Sequence, residues 1–176
     1  MRKKPNSELG RITPEEYERM EKIPVIVVAD NIRSLHNVGA LFRTCDAFGM
    51  EAVWLCGITA VPPNKEIHKT ALGAEMSVPW QFFRQTSDAV AALKKEGYTV
   101  LAIEQTEESV MLDDFAVEPD RKYALIFGNE VDGVGQQAAD LCDGAIEIPQ
   151  VGTKHSLNVS VSAGVVLWEF FRQLKK

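Results

Sequence analysis

An α/β fold, with a mostly parallel sheet flanked by helices, is predicted by three features of the sequence. Apolar runs of strand length alternate with stretches whose apolar residues recur at helical spacing, an order that places helices over a parallel sheet. The runs are continuous instead of alternating with polar residues, as in Val-Ile-Val-Val-Ala at 25–29, so those strands are expected to be covered on both faces. The runs at 24–30, 123–127 and 145–148 each lead into a polar or glycine-rich loop, and the carboxyl ends of strands are where such a sheet holds its ligand.

At 176 residues and 45% hydrophobic content the chain suits one compact domain, with residues 1–22 forming a tail and short helix and residues 23–176 the domain proper. A formal net charge of −6 gives no footprint for gripping nucleic acid unaided. Any RNA affinity must come from a local basic patch or a paired subunit. Three cysteines, Cys45, Cys56 and Cys142, lie far apart, which suggests neither a disulfide framework nor a zinc or other metal site but buried thiols in a reducing compartment. No apolar run approaches the ~20 residues of a membrane helix, and residues 1–6 lack the apolar core of a signal peptide. A cytoplasmic protein with no membrane contact is the expectation.

Residues 1–11 are polar, and Thr13-Pro14-Glu15-Glu16 reads as an N-cap, a proline at the first helical position and a capping-box glutamate. A helix to about Lys22, outside the main core, follows. The first strand, 24–30, gives way to a polar loop at 31–36. Asn37 then caps a helix with Val38, Leu41, Phe42 and Cys45 at helical spacing, ending at Gly49. Residues 52–56 form the second strand, and after Pro62-Pro63 one helix carries Ile67, Leu72 and Ala74. A weaker strand spans 80–83. Ser87 caps a helix with Val90 and Leu93 inward, Gly97 stops it, and 98–103 is the next strand. Residues 104–121 are acidic and loop-like. The strand at 123–127 precedes a turn-rich loop, 128–135, and a short helix, 136–142. After the last strand, 145–148, Ser156, Leu157 and Asn158 open a helix to about Leu174, whose small residues Ser160, Ser162, Ala163 and Gly164 allow close approach of another backbone.

Several polar residues in these loops and helix starts suit chemistry. Arg43 sits among apolar neighbours, so its guanidinium either pairs with Asp46 or Asp30 or projects into a cleft, where its planar fork of donors fits a phosphate. Asn37 lies within two helical turns of it and could flank the same pocket. Gly128-Asn129-Glu130 follows a strand, where a glycine admits a ligand to the backbone and a carboxylate can accept a hydrogen bond or bridge loops. The glycines at 128, 133 and 135 fit neither a dinucleotide fingerprint nor a P-loop. Ser156 and Asn158 are capping residues or site residues. His155 beside Ser156 does not make a hydrolase triad, because adjacent side chains rarely aim at one another and no nucleophile elbow is present. His36 and His68 have no metal-ligand spacing partner, and Lys154 is a loop lysine within reach of the site.

Taken together, Asn37-Val-Gly-Ala-Leu-Phe-Arg43 through Gly49, then Ile126-Phe-Gly-Asn-Glu130, then Ile148-Pro149 with Ser156-Leu-Asn-Val-Ser160 resemble the three motifs of the SpoU-type (TrmH-like) RNA ribose 2′-O-methyltransferases of the SPOUT superfamily. The likeness runs in the family's order from about Ile23 to Leu174. It implies a C-terminal deep trefoil knot, an exception to the rule of un-knotted connections. It also implies S-adenosyl-L-methionine bound in the knot, chiefly through backbone groups at Gly128, Ile148 and Leu157, with Ile103 and Glu104 close by. The resemblance makes Arg43 the catalytic arginine, with Asn37, Glu130, Ser156 and Asn158 orienting it, the ribose and the loops. Since a free arginine is a poor base, either an RNA phosphate held by Arg43 or a perturbed guanidinium takes the proton. The family further implies a homodimer acting on tRNA or rRNA, tRNA fitting a minimal catalytic domain somewhat better. Arg33, Lys69, Arg84 and Lys154 are candidates for a basic RNA-binding strip. The competing readings are a catalytically silent RNA-binding homologue and an unrelated α/β nucleotide-binding module.

Overall fold

The structure is a computed structural model and describes residues 1–175. Seven strands form one sheet: β1 (Ile23–Asp30), β2 (Met50–Cys56), β3 (Trp80–Phe83), β4 (Tyr98–Ile103), β5 (Val110–Met111), β6 (Lys122–Phe127) and β7 (Gly144–Glu147). Their order across the sheet is β3-β2-β1-β6-β4-β7-β5, and every pairing is parallel. The helices are α1 (Pro14–Arg19), α2 (Leu35–Phe48), α3 (Lys65–Ala71), α4 (Ala74–Ser77), α5 (Thr86–Lys95), α6 (Gln136–Ala139) and α7 (Val159–Leu174).

Both faces of the central strands are dry, which is why their sequences are continuously apolar. Val25, Val27 and Ala29 of β1 point into one cluster with residues of α2, α3, α4 and α7, among them Leu41, Phe42, Ile67, Val166 and Phe170. Ile26 and Val28 point into the opposite cluster, closed by Ala89, Val90 and Leu93 of α5 and Ala138 of α6. Parallel register brings the carboxyl ends of β1, β2, β6 and β4 to a common edge, with Ala29 opposite both Leu55 and Phe127, and Phe127 opposite Ile103.

Several boundaries differ from the sequence expectations, each for a local reason. The α1 capping box forms as expected, but the helix stops at Arg19 and Tyr17 is buried in the core cluster, so α1 is not outside the core. Ser34, not Asn37, caps α2, its hydroxyl accepting from the Asn37 N–H at 3.3 Å. Asn37 therefore lies inside the first turn with its side chain free for other partners. The helix expected to carry Ile67, Leu72 and Ala74 breaks into α3 and α4, because Leu72 (φ 53°) and Gly73 (φ 98°) both adopt the left-handed conformation. Helix α5 starts one residue before Ser87, with Gln85 at the cap position making no side-chain cap. Only Asn158 caps α7; Ser156 and Leu157 precede the helix.

Of the small residues that open α7, Ala163 is fully buried in the cluster shared with α2, but Gly164 is not a point of close approach. A Cβ at Gly164 would meet nothing within 4 Å, whereas one at Gly39 would lie 2.3 Å from the Ile67 carbonyl oxygen. It is α2 against α3 that needs the missing side chain. Within the acidic stretch 104–121 the structure adds β5, which lies beyond β7 although only residues 104–109 separate it from β4. The last strand in the chain is thus slotted between two segments that are near neighbours in sequence.

Candidate active site

The loops at the carboxyl edge converge through a chain of side-chain hydrogen bonds. Glu130, after β6, accepts the backbone N–H groups of Arg33 and Ser34, after β1, at 3.1 Å each. It also accepts the Asn37 amide at 2.8 Å. The Asn37 carbonyl oxygen in turn accepts the Asn158 amide at 3.3 Å, and Asn158 caps α7 by accepting from the Ser160 N–H at 2.9 Å. One relay, Glu130 to Asn37 to Asn158, joins all three polar stretches. Burial alone would raise the Glu130 carboxyl, but the donors from Arg33, Asn37, Glu130 itself and Ser34 outweigh it and hold the group below the ordinary carboxylate range.

Two further carboxylates fix the loop that carries Glu130. Asp30, last residue of β1 and buried, accepts from Gly135 N–H and from the Asn31 amide at 2.8 Å each, and from the Thr86 hydroxyl. Glu104, just past β4, accepts the Val134 N–H at 2.9 Å. Asn129 closes the turn between them, its side-chain oxygen accepting from Val131 and Asp132 N–H groups at 2.9 Å. The turn folds back so tightly that a Cβ on Gly128 would sit 1.9 Å from the Gly133 carbonyl carbon. Only glycine fits at position 128.

Beside this frame lies a cavity of about 480 Å³, within the usual size for a small-molecule site. Ile103, Glu104, Gly128, Ile148 and Leu157, the residues singled out for the cofactor, all line it. So do Glu130, Ser156 and Asn158, while Asn37 stands behind as the common partner of Glu130 and Asn158. The wall carries four carboxylates, Glu104, Glu130, Asp132 and Glu147, and among the described residues no lysine or arginine. Such a lining suits a cationic ligand and disfavours a phosphate.

Arg43 is not brought into this cavity. It is exposed on α2 and makes no ion pair with Asp46 or Asp30 among the described residues. Six residues turn a helix through about 240°, so Arg43 and Asn37 do not flank one pocket within a single chain. Arg33, Arg84 and Lys154 are exposed in segments following the carboxyl ends of β1, β3 and β7, whereas Lys69 lies on α3 and is held by Glu66 at 2.7 Å. His36 and His68 have carboxylate partners that spacing did not reveal, Glu66 at 3.3 Å and Glu75 at 2.5 Å.

The family described as SpoU rRNA Methylase matches residues 24–168. The chain belongs to the SpoU rRNA methylase family. A tRNA (guanosine(18)-2′-O)-methyltransferase of Thermus thermophilus is 35% identical over all of this chain and 88% of its own length. A 23S rRNA (guanosine-2′-O-)-methyltransferase of Neisseria meningitidis is 34% identical over 89% of this chain, which spans only 61% of that relative. Among solved structures, a TrmH/SpoU tRNA modifying enzyme of A. aeolicus superposes with a TM-score of 0.80 at 29% identity, covering 91% of this chain and 80% of that one. An AdoMet-bound rRNA methyltransferase from Sinorhizobium meliloti superposes with a TM-score of 0.79 at 26% identity, covering 90% and 62%. Within this SpoU frame, sequence reasoning missed Thr86 altogether, and named Asp30 and Asn129 without their roles in fixing the Glu130 loop. Asp30 reads as the polar stop of a strand, and nothing local signals that its partner is Gly135, 105 residues away.

Proposed function

We propose that this SpoU-family chain transfers a methyl group from S-adenosyl-L-methionine to a ribose 2′-hydroxyl of structured RNA, tRNA or rRNA. The observation that carries the reading is the Glu130–Asn37–Asn158 relay, which ties the three motif stretches to the wall of an acid-lined cavity. Backbone groups at Gly128, Ile148 and Leu157 would hold the cofactor, with Ile103 and Leu157 supplying apolar wall and Glu104 negative charge. When bound, it supplies a sulfonium methyl, an electrophile that needs no further activation, so alignment and proton removal are what the chain must add. Glu130 and Asn158 fix the loops, and Ser156 presents its hydroxyl to the same cavity. Arg43 is exposed and holds a phosphate of the RNA, whose oxygen takes the 2′-hydroxyl proton; the guanidinium is already protonated and has no acceptor with which to take it. Arg33 and Lys154 steer the RNA backbone toward the cavity.

A homodimer accounts for the position of Arg43. Val161, Val165 and Trp168 form an exposed apolar stripe on α7, 51%, 39% and 48% accessible, with the open Gly164 among them. Trp168 packs 5.8 Å from Phe48 at the end of α2, so this stripe is continuous with the helix that presents Arg43. A second copy seated there covers the apolar surface and brings Arg43 to the interface. The slotting of β7 between β4 and β5 supports the trefoil knot, because the 104–109 connection must pass around β7. An experimental chain trace in which the segment after β7 runs outside the preceding loops would remove the knot. Free cysteines at 45, 56 and 142 fit a cytoplasmic setting, which cell fractionation would test.

The deciding experiment is transfer of labelled methyl from S-adenosyl-L-methionine to unmodified tRNA and, separately, unmodified rRNA, with digestion to locate the label. Label on a ribose in one pool is expected, and none with Arg43→Ala, which should still bind the cofactor. An Arg43→Ala chain that kept most of its turnover would remove Arg43 from the mechanism, and cofactor binding without any label would sink the reading.

A further inference from the structure

A second cavity, of about 640 Å³, opens between α3, α4 and the edge strand β3, away from the site described above. We propose that it is an RNA-contact site that takes an unpaired nucleobase of the substrate, an inference that rests on the methyltransferase reading. Its walls are apolar: Pro62 and Pro63 on one side, Met76 and Trp80 on the other. Met76 is 79% and Trp80 39% accessible, and Leu72 and Phe82 extend the exposed apolar surface beyond the cavity. A partly open indole beside the exposed Pro63 ring and a thioether offers flat, polarisable surfaces, the requirement for stacking any base through its π-face.

The rim supplies the charge that nucleic acid demands. Lys65 lines the cavity, as do His68 and Glu75, which face each other, and Lys69 on α3 and Arg84 just past β3 are exposed nearby. The nearby carboxylates are already engaged. Glu75 is buried, accepting the Gly73 N–H at 3.1 Å and facing His68 Nδ1 at 2.5 Å, and Glu66 is taken by Lys69 and His36. Lys65 and Arg84 form no ion pair among the described residues. Aromatic surface rimmed by cations is the pattern of a single-strand platform, and it is the reverse of the acid-lined cofactor cavity.

Hydrogen bonds within the fold connect the elements that carry the two sites. Thr70 of α3 donates its hydroxyl to the His36 carbonyl at 2.9 Å, and His36 also faces Glu66. The next residue, Asn37, bonds Glu130 at the wall of the first cavity. RNA with its target ribose at the first site would cross the start of α2 and place a flanking, unstacked base against Trp80. The cleft would therefore favour substrates whose target lies in a loop or bulge.

The test uses the full chain saturated with S-adenosyl-L-methionine and a fluorescent single-stranded oligoadenylate of about twelve nucleotides, within the span such platforms cover. Trp80→Ala is expected to weaken binding about 5- to 150-fold without changing cofactor affinity or the salt slope. Trp80→Phe should retain most of the affinity, and Lys65→Gln with Arg84→Gln should flatten the salt dependence by about one unit each at most. Wild-type affinity in Trp80→Ala would overturn the site, as would an equal loss in Trp80→Phe, or a change in oligomeric mass in place of RNA affinity. If Trp80→Ala fails to fold, photo-crosslinking of 5-iodouridine RNA to the wild-type chain decides. A crosslink at Trp80 supports the site and crosslinks elsewhere alone overturn it. A wild-type chain that binds oligoadenylate through Trp80 yet methylates neither RNA pool would sink the methyltransferase reading and keep the platform.

Discussion

At Asn37 one side chain answers to two others. Its amide donates to Glu130 and its carbonyl oxygen accepts from Asn158, so Asn37→Ala strands partners in two loops at once. We expect a loss of about 1–3 kcal/mol in urea unfolding, together with weaker cofactor binding; unchanged values for both would show that the relay holds nothing. Glu130 carries a pH signature. Its carboxyl is held below the ordinary value in the folded chain, so its contribution is complete above the unfolded value of about 4.3 and is lost as pH falls through the folded value. The wild-type urea midpoint should therefore drop more steeply below about pH 4 than that of Glu130→Gln, and parallel curves would refute the assignment. The sequence made Asn37 conspicuous but gave it the wrong local task. Serine and asparagine are equally good caps, so Ser34 and Asn37 compete on local grounds, and what settles the matter is Glu130, 93 residues away.

At the scale of elements, the strands were legible because burial on both faces leaves a pattern that needs no partner to be read. Helix breaks were less so. Leu72, itself exposed, ends α3 in the left-handed conformation against the preference of its side chain, while Ile67 and Ala71 before it and Ala74 after it are all buried in the cluster with α2. A two-residue strand such as β5 leaves no periodicity at all. Gly39 tests the α2–α3 contact: Gly39→Ala should lower stability by about 1–3 kcal/mol, since the new methyl meets the backbone at Ile67 and the Thr70 hydroxyl. A thermal midpoint equal to wild type would mean that α3 moves freely. Asp30→Ala should loosen the other end of the site by leaving the Gly135 N–H and the Thr86 hydroxyl without their acceptor. Hydrogen exchange at Gly135 is the readout, and unchanged protection would remove Asp30 from the frame.

For the whole molecule, a net charge of −6 must coexist with an RNA substrate, and the two demands meet where Arg33 lies 4.0 Å from Asp132 of the cavity wall. The acidic groups that line one cavity suit a cation, while exposed Arg33, Arg84 and Lys154 follow the carboxyl ends of three strands. The proposed dimer is tested by Trp168→Glu, which puts a charge in the middle of the α7 stripe. Sedimentation should show half the wild-type mass, with methyl transfer lost. A dimer that survived the change would move the interface elsewhere. What the sequence kept hidden at this scale is Arg43, whose helix was foreseen but whose direction, away from its own cavity, depends on how α2 is rotated against the sheet. The slot occupied by β7 bears on how the chain comes off the ribosome. Strand β4 and the segment of β5 emerge first, and β5 has no strand to pair with until residues 144–147 arrive between them. A nascent chain halted before that point would have five paired strands and no closed cavity, so competence to bind a ligand arrives late in synthesis and all at once.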